Sequence, residues 1–207
     1  MKTSSVIFLF AVIPFLFPQQ AIRIDGTMTK GEWDKAKRFA LSDSATIFIT
    51  QDKGNLYVAV KSAQPFWGHL YLSNGKVTSV MHVSAALDDV TYTNEGNLWR
   101  TNDTFTYEMR DREYTPETER KIDAYFERNR WVANNLTLGQ KTFVEAKISL
   151  DKLEGDLFFA CAIAGYDMTL HAFPASTGDD IVRTKLVQGY AIDSLNFKPS
   201  LWHPIRR

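Results

Sequence analysis

Trp67 is followed by Gly68-His69, and Trp99 stands among polar residues, with Asn97 two places before it and Arg100 directly after. An indole in a polar or turn-like setting can cover the apolar face of a sugar ring. Neighbouring amides, imidazoles and guanidinium groups then take its hydroxyls. Pockets of this kind combine flat apolar area with a few placed polar groups. Trp67, His69, Trp99 and Arg100 are therefore candidate ligand-binding residues, and each also has a plain reading as core or rim packing. Trp33 takes only the packing reading, because its spacing from Ala36 puts both on one face of a short helical turn. The segment 171–180, HAFPASTGDD, joins a predicted strand end to a Gly-Asp loop. Connecting loops are where binding residues concentrate, so His171 joins the candidates.

Asp88-Asp89 and Asp179-Asp180 place paired carboxylates in predicted loops. Calcium takes several oxygen ligands, and a loop can wrap it. Asp88, Asp89, Asp179 and Asp180 are the candidate metal ligands, with a structural calcium as the expected ion. Neither pair follows EF-hand spacing, and a solvated turn accounts for either without an ion. His69 and His82 fall in two predicted strands that could be neighbours, and such a pair plus an acid is a zinc-type donor set. Glycoside hydrolysis needs two carboxylates flanking one bond. With 24 acidic residues in the chain, pairs are plentiful and the pattern selects none. There is no Gly-x-Ser-x-Gly elbow, no Gly-rich phosphate loop and no His-Glu-x-x-His. Cys161 lies in the apolar run LFFACAIA, where a thiol is inert core and not a nucleophile.

The elements that must position these residues are mostly strands. Ala45–Thr50 and Leu56–Lys61 read as a hairpin about the Asp52-Lys53-Gly54-Asn55 turn. Further strands are expected at 66–72, 77–83, 104–109, 143–150, 157–163 and 186–192. Leu157–Ile163 is nearly all apolar, as a strand buried on both faces must be. One helix stands out. Thr115 can cap it, Pro116 suits its first position, and Ile122, Tyr125 and Phe126 share a side up to about Asn129. The mixed charges around it mark a solvated surface. The insertion as a whole can act as a lid, dock a partner, or cover an open sheet edge. Many short strands with turns between them predict an all-β fold. The expected form is an antiparallel β-sandwich of immunoglobulin-like or jelly-roll type, with one helical insertion near 115–130.

Composition narrows the setting. Lys2 precedes an apolar run over 6–17, which at about twelve residues is shorter than the roughly 20 a bilayer-spanning helix needs. Residues 1–20 are expected to be a cleaved signal peptide. Residues 21–207 then form a single secreted or periplasmic domain, not transmembrane after cleavage, because no second long apolar run follows. Net charge is zero, so there is no basic field to hold nucleic acid. One cysteine excludes an internal disulfide, and the core alone must hold the domain. Aromatic residues make up 13% of the chain, enough for either a sandwich core or a ring-stacking site.

Ile24-Asp25-Gly26, Glu32-Trp33 and Ala36, an apolar strand, and then Asn55-Leu56-Tyr57-Val58-Ala59-Val60 resemble the opening of family 9 carbohydrate-binding modules. Phe143–Leu150, followed by Leu153, is similar to that family's late Glu-x-x-Ile-Pro strand, with Ser149 where proline is common. The resemblance spans roughly 22–193. It implies a solitary bacterial β-sandwich that binds carbohydrate without catalysis, stacking sugar rings on tryptophan and holding structural calcium. Asp25, Gly26, Glu32, Trp33, Leu56 and Tyr57 match the framework of that family. The expected partner is a carbohydrate or cell-envelope glycan. The alternatives are an envelope structural or protein-interaction domain, and a sandwich-fold glycoside hydrolase.

Overall fold

The computed structural model describes residues 21–206, apart from 85, 97, 102–107, 110–112, 135–141, 152, 166, 168, 176–193 and 196. Turn chemistry sets the hairpins. The carboxylate of Asp52 accepts from the N–H of Gly54 at 2.8 Å and of Asn55 at 2.7 Å, closing the expected turn. On either side run β2 (Ala45–Gln51) and β3 (Asn55–Ser62). They belong to a five-stranded sheet in the order β1–β2–β3–β10–β9, where β1 is Lys37–Ser42, β9 is Trp131–Asn134 and β10 is Phe143–Ser149. The second sheet has nine strands. Its central path runs through β4 (Phe66–Ser73), β5 (Val77–Val83), β6 (Ala86–Glu95) and β7 (Leu98–Thr101). β8 (Glu108–Met109) pairs with β6, and β13 (Ser194–Leu195) pairs with β7. On the other side of β4 lies β11 (Leu157–Gly165), whose far edge pairs with β12 (Leu170–Phe173) and β14 (His203–Ile205). Every pairing among the described residues is antiparallel, so the expected antiparallel β-sandwich with one helix is the observed fold.

The inner faces meet in one core, with Ile47, Val58 and Ile148 from the smaller sheet and Leu70, Met81 and Phe159 from the larger. The outer faces are covered as well. Trp33 and Ala36 pack on Phe48 and Ala59 behind the smaller sheet. Phe197 and Trp202 pack on Tyr71, Tyr92 and Trp99 behind the larger one. Coverage on both sides explains why β3, β4 and β11 read as apolar runs and not as alternating strands. Cys161 is enclosed in the inner core, and burial pushes its thiol up to about 12.

The helix α1 (Pro116–Asn129) begins where expected: Thr115 is extended and its side chain accepts from the N–H of Thr118 at 3.2 Å. It stops at Arg130, whose φ of 65° turns the chain into β9. Tyr125 is buried and meets Trp131 edge-on at 5.6 Å. The helix leads directly into β9, the outermost strand of its sheet, and its Ile122 and Phe126 pack against the inner core.

The segments that carry the family resemblance meet in space. Glu145 of β10 accepts from the N–H of Gly26 at 2.5 Å, and Asn134 donates to the carbonyl of Ile24 at 3.2 Å. Glu32 accepts from the N–H groups of Arg23 at 2.8 Å and Thr29 at 3.1 Å. Gly26 has φ of 81°, a conformation that a side chain at this turn would strain.

Seven described strands were not expected: β1, β6, β7, β9, β12, β13 and β14; of the strand expected at 104–109 only Glu108–Met109 is described, as β8. Asp88 and Asp89 therefore lie in β6, not in a loop. His171 lies in β12 and Trp99 in β7, where loop-like surroundings were expected. The expected strand at 186–192, residues 1–20, and Asp179 and Asp180 fall outside the described residues.

Candidate ligand-binding site

One cleft opens at the end of the sandwich, where β1 and β3 finish and β2 and β4 begin. Its volume is about 320 Å³. Phe66 and Ile163, both buried, and Pro65 supply apolar walls. Ser42, Ser44, Ser62, Gln64, Asp167 and His171 supply the polar lining.

Short-range hydrogen bonds hold Ser42, Ser62 and Asp167 in place. Ser42 Oγ accepts from the N–H of Ser44 at 3.3 Å, and Ser62 Oγ accepts from the N–H of Gln64 at 3.1 Å. The N–H of Ala63 donates to the carbonyl of Ser44 at 2.9 Å, which ties the two loops together. Asp167 accepts from the N–H of Thr169 at 3.0 Å and from its hydroxyl at 2.8 Å. Those bonds, with a smaller contribution from His171, hold the Asp167 carboxyl below the usual range, so it is an acceptor at neutral pH. His171 sits opposite Ile163 in the β11–β12 pair and reaches the cleft from the strand edge. Hydroxyls, an amide, a carboxylate and an imidazole together can donate to and accept from a polyol.

The sequence flagged His171 alone of these lining residues. Asp167-x-Thr169 is a side-chain-to-backbone turn pattern, and it is the signal that marks the loop. The serines carried no such signal. They converge only because the β1–β2 and β3–β4 connections fold to the same end.

His69 and Asp88 fall in one row elsewhere, on the outer face of the larger sheet, and Trp67 is on the same face two residues before His69. Adjacent register pairs place Ala162, His69, His82 and Asp88 in one row across β11, β4, β5 and β6. His69 Nε2 lies 3.2 Å from His82 Nδ1, and His82 Nε2 lies 2.7 Å from Ser84 Oγ. His69 Nδ1 is buried and has no hydrogen-bond partner among the described residues. A proton there would be a donor with no acceptor, so we assign the proton to Nε2. His69 then donates to His82, and His82 donates to Ser84. That direction leaves His82 no lone pair to activate the serine as a nucleophile. Burial, and then the proximity of His82, hold His69 well below the usual histidine range.

The remaining candidates separate. Trp99 is only 2% exposed; its indole N–H donates to the carbonyl of Phe197 at 2.9 Å. It is a core residue, and its ring is not presented to an outside ligand. Arg100 is exposed and pairs with Glu95 at 2.9 Å. Asp88 and Asp89 cannot grip one ion as a pair, because consecutive strand residues point to opposite faces. Asp89 turns inward to accept from Trp131 Nε1 at 2.9 Å, whereas Asp88 joins the histidine row. Among the described residues, no group of three or more His, Cys, Asp or Glu side chains is arranged to hold a metal ion. No described helix is long and apolar enough to cross a membrane. The chain matches no family model, no curated protein and no solved structure.

Proposed function

We propose that this chain is an exported, non-catalytic sugar-binding β-sandwich, and that one saccharide unit sits in the cleft between the β1–β2 and β11–β12 ends. The cleft at the sandwich end carries this reading. Its volume of about 320 Å³ falls at the small end of the range for ligand pockets. The side chains of Ser42, Ser62 and Asp167 are fixed in advance by their own hydrogen bonds, which lowers the ordering cost of binding. Pro65 and Phe66 offer apolar surface to a ring face, and Ser42, Gln64, Asp167 and His171 can address hydroxyls. A hydrolase would need a second carboxylate across the cleft, and Asp167 is the one carboxylate among its described lining residues. The likeness to family 9 carbohydrate-binding modules points the same way, as does the apolar leader at 6–17.

Glycan-array binding of the purified protein, in calcium and in chelator, tests this. A defined glycan should be retained, and His171→Ala and Gln64→Ala should each weaken it about tenfold, the cost of about one lost hydrogen bond. Trp67→Ala should leave binding intact if the cleft is the site. Loss on Trp67→Ala alone would move the site to the outer face of the larger sheet. No glycan in either buffer would leave the chain a structural or protein-docking domain.

A further inference from the structure

A second cleft lies at the opposite end of the same edge, and its character is different. Strands β1, β2 and β11 run from one cleft to the other: β1 contributes Lys37 here and Ser42 there. Between the two, Phe39, Phe173 and His203 pack as a plug, with ring centres 4.7 to 5.4 Å apart. The second cleft has a volume of about 410 Å³. Lys35, Lys37, His203 and Arg206 line it, beside Thr50 and Gln51, and none of its lining residues is acidic. In a chain with 24 acids and 24 Lys and Arg, this is a local concentration of one sign. A concave surface of one sign focuses its field and raises the local concentration of counter-ions.

The cations come from separate parts of the chain. Lys35 lies in the turn that precedes β1, and Lys37 opens β1 opposite Ile49. Arg206 follows β14, and the Gln51 side chain donates to its carbonyl, pinning the backbone there. His203 is held by Phe39 and Phe173 on its uncharged side. We propose that this cleft binds a tetrahedral oxyanion, the phosphate or sulfate group of a small ligand, between Lys37, Arg206 and His203, with Lys35 at its rim. Arginine offers a planar fork to two oxygens of such a group, and lysine a point charge to a third. A tetrahedral group has a third oxygen for a donor on the β1 side beside those on the β14 side, whereas a planar carboxylate has only two oxygens to offer.

His203 reports on occupancy. Burial, and then Lys37, hold it below the usual histidine range in the absence of ligand. The charged groups around it are Lys35 and Lys37 on the β1 side and Arg206 on its own; the plug contributes none. A bound dianion favours the imidazolium and must raise that pKa, so binding of sulfate, which stays a dianion throughout, must tighten as pH falls.

The test is an NMR titration of the histidine rings of the purified protein with inorganic phosphate, sulfate or acetate, with ionic strength held constant. Saturable movement of His203 at about millimolar phosphate or sulfate, with its pKa raised by about half a unit or more, is the expected result. Phosphate and sulfate in parallel show which ester the site prefers, and acetate should compete at least about tenfold more weakly. The double variant Lys37→Gln/Arg206→Gln changes exposed residues and should keep the wild-type amide spectrum away from the cleft. It should lose phosphate binding about tenfold or more. Linear, non-saturating shifts, or equal binding by the double variant, would overturn the proposal.

Discussion

Among single residues, Glu145 has the sharpest physical consequence. It is fully enclosed, and burial raises its carboxyl to about 9, with Glu32 and Asp25 nearby adding to the rise against the Gly26 N–H. The folded chain keeps this proton up to about pH 9, whereas the unfolded chain loses it near the ordinary value of 4.5. Folding therefore binds an extra proton between those limits. The stability linked to it is full below pH 4.5 and is lost progressively as pH rises towards 9. Glu145→Gln removes the titration and should flatten the dependence of melting temperature on pH between 5 and 9. A wild-type slope retained in the variant would mean that Glu145 is not the group responsible. Glu145 could be picked out in the sequence as part of the late-strand resemblance. Its protonation depends first on burial and then on Glu32 and Asp25, which lie more than a hundred positions earlier in the chain, and no local pattern contains that information.

Among elements, the pairing of β4 with β11 is the most demanding. A Cβ on Gly68 would stand 2.4 Å from the carbonyl oxygen of Ala162 and 3.0 Å from a side-chain methyl of Ile163. Backbone on the far side cannot move aside cheaply. Gly68→Ala should destabilise by about 1–3 kcal/mol, the usual cost of overpacking. At about 2–4 °C per kcal/mol for a domain of this size, thermal unfolding will register it. An unchanged melting temperature would mean that the two strands do not approach this closely. The hairpins, the helix with its Thr115 cap and the apolar β11 were legible because their signals are local: turn residues, period and capping. β6 was not, because Asp88-Asp89 interrupts its apolar pattern. One acid faces the outer row and the other reaches Trp131, and each has its place only once both sheets are present.

For the molecule as a whole, the aromatic lid behind the larger sheet matters most. Phe197 and Trp202 lie far along the chain from Tyr71, Tyr92 and Trp99, yet the five rings interlock at centroid distances of 5.4 to 6.0 Å. Most contacts are edge-on, the arrangement aromatic quadrupoles prefer. Trp202 is 3% exposed, so Trp202→Ala should cost about 3–5 kcal/mol, as large aromatic truncations in cores do. Urea unfolding will show this as a lower midpoint with little change in slope. A midpoint within error of wild type would mean that the C-terminal segment does not seal this face.

By itself the amino-acid sequence determined the antiparallel β class, the single capped helix and the burial of Trp33 and Cys161. Each follows from short-range rules of period, turn and cap. Tertiary structure alone decided which polar residues share a cleft and which tryptophans face solvent. Trp67 and Trp99 look alike in sequence, each beside polar neighbours. Trp99 is enclosed because Phe197 and Trp202 return from the far end of the chain to cover its face. The two clefts arise in the same way, where β1 of one sheet meets β11, β12 and β14 of the other. Side chains distant in sequence meet there because the two sheets bury their apolar faces together, and that burial sets which ends coincide.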